Sequence, residues 1–292
     1  MRGMFAESMT IGDAIAWGTS LLDESDAIPT ARSRSDAILL LRHVLGIPHA
    51  EMYAYRERPL TALQTEAFNA QLQQRLRGVP IQYITGEQEF FGLPFRVTPD
   101  VLIPRPETEH LVEAAIARLQ GVKGAQVADV GTGSGAIAVA MAHSLLTAEI
   151  VALDISPAAL AIASENAKQN GVAARIRFVE SDLLSAVVGE RFNAIVSNPP
   201  YVAESERKSL PVEVREHEPA QALFAGPTGL EVYRRLIPAA LPMLVSDGWL
   251  MMEIGHGQRN SVGALLNDAD WDGVEFLPDL QGIPRVVMAR KR

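Results

Sequence analysis

Residues 126–136 read QVADVGTGSGA, an apolar run followed by three alternating glycines. The run is typical of a buried strand, and the apolar residues after the glycines are typical of a buried helix. Glycine allows a tight turn between the two elements, and the free N–H groups of the helix N-terminus lie at the same place. The stretch therefore predicts a strand, a ligand-binding turn and a helix. The candidate ligand-binding residues of the turn are Gly131, Thr132, Gly133, Ser134 and Gly135.

Short apolar runs and helical patterns alternate from this stretch to the end of the chain. Such alternation predicts an α/β fold in which helices cover both faces of a mostly parallel sheet. We expect a seven-stranded, Rossmann-like sheet with ligands at the carboxyl ends of its strands. The candidate strands are 126–130, 149–153, 175–179, 192–197, 248–254, 274–277 and 285–289.

The chain before this sheet has two other patterns. Helical periodicity extends from Thr10 to Gly78, which predicts a small helical domain over residues 1–80. Residues 81–106 combine β-branched and aromatic residues with Gly and Pro, which favours a β-hairpin linker. The domain that carries the sheet is then predicted over residues 107–292.

The helical domain has recognisable helix starts. Ser35 is predicted to cap a second helix, and Thr61 with Gln64 is predicted to form a capping box at a third. A separate bundle of this kind either packs as a structural element or selects a macromolecular substrate. Both interpretations remain open at this point.

The charge balance limits the kind of partner. The 292-residue chain has a net charge of −9 and a pI of about 5.2. Proteins that hold long nucleic acids through phosphates need clustered Lys and Arg, so we expect no stable nucleic-acid binding. A protein or small-molecule substrate is favoured.

The composition also restricts the site chemistry and the compartment. The chain has no cysteine, which excludes disulfides, thiolate zinc sites and a cysteine nucleophile. Its six histidines have no metal-ligand spacing, so we expect no metal. Neither a signal peptide nor an apolar run of membrane-spanning length is recognised, so a cytoplasmic protein without a membrane partner is expected.

The spacing of the glycines favours one class of cofactor. A dinucleotide fingerprint has its third glycine where Ala136 stands in this chain. The pattern G-x-G-x-G therefore favours a nucleoside without a pyrophosphate, such as S-adenosylmethionine, over NAD. A plain tight turn is the alternative.

The next two strands end in acids. Asp154, with Ile155 beside it, follows the glycines by about twenty residues, the distance at which a carboxylate reaches ribose hydroxyls. Asp154 could instead cap the following helix, although Ser156 already suits that role. Asp182 and Leu183 follow the third strand and could contact an adenine amino group and ring, or simply form a turn.

The fourth strand, FNAIVSNPPY (192–201), ends at an asparagine, two prolines and a tyrosine. Prolines lack N–H groups and fix their own φ, so the chain presents bare carbonyl groups beside an amide and an aromatic ring. Such a pocket of acceptors suits a planar group that carries NH2, namely a carboxamide or an adenine amino group. An edge strand that ends in a Pro-rich turn is the alternative.

These motifs together resemble the protein-(N5-glutamine) methyltransferases of the release-factor type. The resemblance covers nearly the whole chain, although His217 stands where relatives often have an aromatic residue. Asn-Pro-Pro-Tyr alone also occurs in methyltransferases that modify adenine amino groups of DNA or RNA, and LIPRPETE makes the resemblance more specific. The matching stretches are LIPRPETE (102–109), DVGTGSG (129–135), ALD (152–154), SD (181–182), SNPPY (197–201), EPAQAL (218–223) and GL (229–230).

The resemblance implies a class I methyltransferase sheet that binds S-adenosylmethionine and releases S-adenosylhomocysteine. The expected substrate is the glutamine of a Gly-Gly-Gln loop in class I peptide chain release factors, and a monomer is expected. Ribosomal protein L3 and adenine in DNA or RNA are the alternative substrates. A non-catalytic S-adenosylmethionine-binding module and a nicotinamide oxidoreductase are less well matched.

The expected site residues have specific roles. The side-chain oxygen of Asn198 and the carbonyl of Pro199 are predicted to accept the two N–H bonds of the substrate amide, with Pro200 beside them and Tyr201 packed on the amide plane. Asn198 is also expected to border the cofactor. Arg105 is a candidate for the substrate entrance. The long connection after Tyr201 is predicted to form a partly mobile lid.

Overall fold

Residues 9–25, 29–266 and 269–292 are described by a computed structural model of the chain. The helices of these residues are α1 (Ile11–Asp23), α2 (Thr30–Leu45), α3 (His49–Ala54), α4 (Ala62–Leu76), α5 (Ile81–Thr85), α6 (Glu109–Leu119), α7 (Ala136–Ser144), α8 (Pro157–Gln169), α9 (Val212–His217), α10 (Ala220–Leu223), α11 (Glu231–Ala240) and α12 (Arg259–Gly263). The strands are β1 (Glu87–Phe90), β2 (Leu93–Arg96), β3 (Gln126–Val130), β4 (Glu149–Asp154), β5 (Ile176–Glu180), β6 (Phe192–Ser197), β7 (Val202–Ala203), β8 (Phe224–Gly226), β9 (Leu244–Glu253), β10 (Trp271–Pro278) and β11 (Pro284–Lys291).

The chain forms two compact units. The helical unit contains the described residues up to Gly86 together with Pro211–His217. The sheet unit contains Glu87–Leu210 and Glu218–Arg292. Seven residues of the long connection after Tyr201 therefore belong to the helical unit, which local sequence patterns do not indicate.

Some helices of the helical unit start at a side-chain cap and others start directly after a proline. The predicted capping box of Thr61 and Gln64 is confirmed: each side chain accepts a hydrogen bond from the other residue's N–H. The prediction for Ser35 is wrong. Helix α2 already begins at Thr30, directly after Pro29, and the Ser35 hydroxyl lies inside the helix and donates to the Arg32 carbonyl.

A buried charge network lies inside the helical unit. The Arg75 side chain is fully buried and donates to Asp36 at 2.7 Å and to the carbonyl of Val79 at 3.0 Å. Glu213 of α9 lies 3.0 Å from the same guanidinium and 2.7 Å from that of Arg32. Desolvation opposes ionisation of Glu213, but its hydrogen bonds to the two arginines prevail and lower its pKa.

The central sheet has seven strands in the order β10-β11-β9-β6-β3-β4-β5. Strands β5, β4, β3, β6 and β9 are parallel to one another, and β11 is antiparallel to both of its neighbours. This architecture confirms the predicted α/β fold. The chain passes from β3 towards one side of the sheet and from β6 towards the other, so their carboxyl ends form a topological switch point, where α/β sheets bind ligands.

Alternate residues of the strands face two separate apolar layers. Val127 and Ala194 pack in one layer, whereas Ala128 and Ile195 pack in the other. All four are fully buried. Because both faces of the sheet are covered by helices, the strands read as nearly continuous apolar runs.

The structure differs from expectation at two element boundaries. Residues Ile81–Thr85 form helix α5, so the antiparallel hairpin of β1 and β2 starts only at Glu87. Strand β9 starts at Leu244, earlier than expected, and a register irregularity beside β6 accommodates Asp247 at a φ of 60°. In the described residues, no helix combines the length and the apolar character needed to cross a bilayer.

Candidate functional site

A cavity of about 310 Å³ lies at the carboxyl ends of β3, β4, β5 and β6. Its wall is continued by residues that follow Glu218 in the connection after Tyr201, including Pro219 and Phe224. The mobility predicted for that connection stays a prediction. The sequence-predicted residues that line this cavity are Gly131, Gly133, Asp154, Ile155, Asp182, Leu183, Asn198 and Pro200.

The glycines of the turn after β3 have two different roles. Gly131 and Gly133 have φ values of 73° and 55°, and a Cβ added to either would meet no atom within 4 Å. Gly135, with φ of 81°, instead packs closely on α8, where an added Cβ would lie 3.0 Å from that of Ala163. The first two glycines therefore leave an open cradle for a ligand, and the third permits the helices to pack.

Thr132 and Ser134, which lie between these glycines, form hydrogen bonds with other residues of the protein. Thr132 and Ser134 are both buried. The Thr132 hydroxyl donates to Asp129 at 2.6 Å, and the Ser134 carbonyl accepts from the Asn166 side chain at 2.8 Å. Their side chains and carbonyls thus stabilise the turn that presents the cradle.

Asp154 connects the end of β4 to this turn. One of its carboxylate oxygens accepts from the Gly133 N–H and the other accepts from the Ser156 N–H, each at 2.9 Å. Ser156 caps α8 by accepting from the Ala159 N–H, as expected. Each oxygen of Asp154 keeps a lone pair with which it can accept from a ribose hydroxyl.

Asp182 is engaged by a residue that the sequence did not indicate. Its Oδ2 accepts from Arg235 of α11 at 2.6 Å, and both side chains are about half exposed. The next residue, Leu183, also lines the cavity, and its backbone is in the left-handed region with a φ of 52°. The ion pair orients the carboxylate at the cavity wall.

Asn198 takes part in a chain of hydrogen bonds. Its Nδ2 donates to the Thr108 hydroxyl at 3.0 Å. That hydroxyl donates to Glu253 Oε2 at 2.5 Å, and the Tyr201 hydroxyl donates to Glu253 Oε1 at 3.3 Å. Both Asn198 and Tyr201 thus connect to one buried carboxyl group at the end of β9.

Two buried carboxyl groups have strongly raised pKa values. Burial raises the pKa of Glu253 to about 7, although Thr108, Tyr201 and Arg285 favour its ionised form. Burial likewise raises the pKa of Asp129 to about 7, against hydrogen bonds from Thr132 and a backbone N–H. Among the described residues, Oδ1 of Asp129 has no hydrogen-bond partner.

The backbone of the Asn-Pro-Pro-Tyr stretch is fastened at both ends. Before it, the Ser197 hydroxyl donates to the Val130 carbonyl at 2.7 Å and joins β6 to β3. After it, the Gln258 side chain donates to the Tyr201 carbonyl at 2.9 Å. Burial raises the pKa of the Tyr201 hydroxyl, so this group stays protonated as a hydrogen-bond donor.

Arg105 and His217 have defined contacts. Arg105 forms an ion pair with Glu218, whose carboxylate is buried and also accepts from the Ile103 N–H at 3.4 Å. His217 lies in the helical unit with its Nε2 3.2 Å from the Arg77 carbonyl. Arg105 therefore holds a neighbouring segment in position.

Thr108, Glu253 and Gln258 were missed by sequence reasoning. Thr108 lies within the RPETE stretch, where the sequence pattern indicates Arg105 but gives no signal for Thr108. Glu253 terminates a buried strand, which is the signal that identified Asp154. That rule, applied to every strand, would have indicated Glu253, but nothing local indicates Gln258.

The chain is similar to known families and to a solved structure. Residues 108–218 match the methyltransferase small domain family, and residues 13–86 match the PrmC N-terminal domain family. The catalytic domain of hMettl16, bound to a MAT2A 3'UTR hairpin, superimposes with a TM-score of 0.56 at 18% identity, covering 68% of this chain and 76% of that one. At that identity, the likeness shows the fold alone.

Relatives that align over most of the chain are much closer in sequence. The release factor glutamine methyltransferase of Koribacter versatilis is 43% identical, over 93% of this chain and 96% of the relative. That of Chlorobaculum tepidum is 45% identical, over 86% of this chain and 88% of the relative. Identity of this extent across both units shows that the chain belongs to the release factor glutamine methyltransferase family.

Proposed function

We propose that this protein transfers a methyl group from S-adenosylmethionine to the side-chain nitrogen of the glutamine in the Gly-Gly-Gln loop of class I peptide chain release factors. One observation carries the proposal: Asn198 lines the same cavity as Asp154 and the open glycine cradle. An amide acceptor thus borders a site suited to a nucleoside. Family membership supports the same activity.

The cavity has the features that S-adenosylmethionine requires. Gly131 and Gly133 leave room for close approach of a ligand to the backbone, and Asp154 has lone pairs for ribose hydroxyls. We assign Asp182 Oδ1 to the adenine amino group, because Oδ2 is occupied by Arg235. Leu183 and Ile155 would cover the ring and the ribose. The bound cofactor supplies an electrophilic methyl group on a sulfonium ion.

The chain's own residues must activate a poor nucleophile. The lone pair of a carboxamide nitrogen is delocalised into its carbonyl group. In this proposal, Asn198 Oδ1 and the Pro199 carbonyl accept hydrogen bonds from the two N–H groups and orient the nitrogen for attack. As the new N–C bond forms, S-adenosylhomocysteine is the leaving group, and the nitrogen, made acidic by the attack, then releases one of its two protons. Tyr201 packs beside the amide plane. A glutamate in place of the substrate glutamine would present lone pairs to these acceptors and is therefore excluded.

The helical unit is proposed to recognise the release factor. Two observations support this role. Residues 13–86 match the PrmC N-terminal domain family, and the alignment with the release factor glutamine methyltransferase of Koribacter versatilis covers 93% of the chain. The reaction is then expected in the cytoplasm, where release factors act. Nucleic acid is not needed as a partner, in keeping with the net charge of −9.

Methyl transfer with labelled cofactor tests the proposal. The wild-type protein is given S-adenosylmethionine labelled in its methyl group together with a class I release factor, ribosomal protein L3 or duplex DNA. Label on the release factor alone is expected. A matched release factor with Gln→Glu in the Gly-Gly-Gln loop should remain unlabelled. Label on L3 or DNA, or on the Gln→Glu protein, would overturn the assignment.

A further inference from the structure

Glu253 is a buried acid that hydrogen bonds connect to Asn198 and Tyr201, and the function as stated gives it no role. The residue is only 2% exposed at the end of β9. It accepts from Thr108 on one oxygen and from Tyr201 on the other. Thr108 is in turn the acceptor for Asn198 Nδ2. A single carboxylate therefore reaches both polar side chains of the Asn-Pro-Pro-Tyr stretch.

The direction of these hydrogen bonds determines how the Asn198 amide is oriented. An ionised carboxylate only accepts, so the one hydrogen of the Thr108 hydroxyl must point to Glu253. The hydroxyl then offers only lone pairs to Asn198, which must present its NH2 group to Thr108. Its oxygen is consequently left for the cavity. If the amide were reversed, its NH2 would meet the NH2 of a substrate glutamine, and two donors cannot pair.

We propose that Glu253 is a positioning residue that, through the Thr108 hydroxyl, holds the Asn198 amide with its oxygen towards the substrate. The inference rests on the proposed function and specifies how its acceptor site is prepared. The carboxylate also receives the Tyr201 hydroxyl, which anchors the neighbouring aromatic ring. Two residues remote from Asn198 in sequence thereby decide which atom of Asn198 the substrate meets.

The protonation state of Glu253 decides whether this orientation is maintained. A neutral carboxyl group can itself donate to Thr108, which frees the hydroxyl hydrogen to point towards Asn198 and permits the reversed amide. The charged and titratable groups around Glu253 are Arg285, which favours its ionised form, Glu107, which opposes it, and the hydroxyls of Tyr201 and Tyr233. With a carboxyl pKa of about 7, the active orientation should be lost as pH falls through neutrality.

Thr108 variants test the relay without removing the buried acid. Thr108→Val keeps the shape and removes the hydroxyl, whereas Thr108→Ser restores it. We expect Thr108→Val to lower kcat about 10- to 100-fold, because a misoriented acceptor is no longer aligned with the attacking nitrogen. The KM for the release factor and the Kd for S-adenosylmethionine should change less than about threefold, and Thr108→Ser should recover most of kcat. Thr147→Val, on an exposed residue, is the matched control.

Two further readouts separate positioning from simple structural support. In the wild type, kcat should rise with pH about an apparent pKa near 7, and Glu253→Gln should lack this rise. The side-chain amide NMR signals of Asn198, assigned by their loss in Asn198→Ala, should shift over the same pH range in the wild type but not in Glu253→Gln.

The outcomes distinguish this inference from the proposed function. A wild-type protein that fails to methylate release factor overturns the function itself. An active wild type whose Thr108→Val variant keeps its kcat, or whose Thr108→Ser variant is as slow as Thr108→Val, overturns the relay. Persistence of the pH dependence in Glu253→Gln overturns it as well.

Discussion

Asp154 Oδ2 accepts a hydrogen bond from the Gly133 N–H at 2.9 Å, so the carboxylate at the end of β4 fastens the glycine turn at the end of β3. Its other oxygen binds the N–H of Ser156 at the start of α8. Asp154, the residue proposed to bind the ribose, is thus held by two backbone N–H groups before any cofactor is present. Preorganisation of this kind reduces the entropy lost on binding.

Replacement of Asp154 by alanine is expected to weaken S-adenosylmethionine binding about 10- to 100-fold, because hydrogen bonds to a charged group contribute about 1.5–3 kcal/mol. Asp154→Asn should fall between Asp154→Ala and the wild type, since one acceptor oxygen remains. Calorimetric titration measures the effect, and Asp272→Asn on edge strand β10 serves as a control. Unchanged affinity in Asp154→Ala would exclude the ribose assignment.

Asn198→Ala is expected to reduce kcat by roughly 10²–10³, as loss of one preorganised hydrogen-bonding group does in other enzymes. The affinity for the cofactor should stay close to that of the wild type. Asn198→Asp keeps the shape but replaces the NH2 that faces Thr108 with an oxygen, so it should be comparably slow. Single-turnover methylation of release factor provides the rates. Full activity of either variant would contradict the role of Asn198.

The glycine turn should respond differently at its two ends. Gly131→Ala places a methyl group in open cavity space, so it should mainly weaken cofactor binding. It should also lower the free energy of unfolding by about 1–2 kcal/mol, because alanine is strained in the left-handed backbone conformation of Gly131. Gly135→Ala adds a contact of 3.0 Å with Ala163 and should cost roughly 1–3 kcal/mol more. Thermal unfolding and cofactor titration of both variants check the contrast, and equal stability losses would contradict it.

The free energy of unfolding should fall as pH rises from about 4.5 to 7. Within this window the folded protein retains protons on Glu253 and Asp129, both with a pKa of about 7, that the unfolded chain has already lost. Above pH 7 the cost of burying both charges is fully present. Glu253→Gln removes one titrating group, so its stability should decline by roughly 2 kcal/mol less over this range. Urea unfolding at several pH values measures the difference, and parallel curves would contradict it.

The charge network of the helical unit should be sensitive to the loss of one partner. Arg75→Met leaves Asp36 buried without its arginine, which is expected to cost about 3–5 kcal/mol. The double variant Asp36→Leu, Arg75→Met should recover much of that loss. Fluorescence of Trp17, whose ring packs edge-on against Phe68 in this unit, reports the unfolding. Arg42→Met, at an exposed position, is the control. A stability loss in Arg75→Met no larger than that in Arg42→Met would contradict the prediction.

Local patterns were sufficient for the sheet and for eight of the residues that line the cavity. The strand that precedes the glycines was expected at 126–130 and is Gln126–Val130, because a buried parallel strand must be apolar along its whole length. Residues at the ends of parallel strands share one edge of the sheet, so Gly131, Asp154 and Asn198 could be grouped without coordinates. The family prediction also proved correct.

Other features depended on residues that are far apart along the chain. Thr108 and Glu253 are 145 positions apart and meet only because α6, which starts after Thr108, packs on β6 and β9. Arg235 and Asp182 are 53 positions apart, and Glu213 joins a helical unit that lies much earlier in the sequence. Periodicity and capping act over a few residues and therefore reveal elements and their ends. Which distant side chain faces Asn198 depends on strand order and packing, which only the folded chain defines.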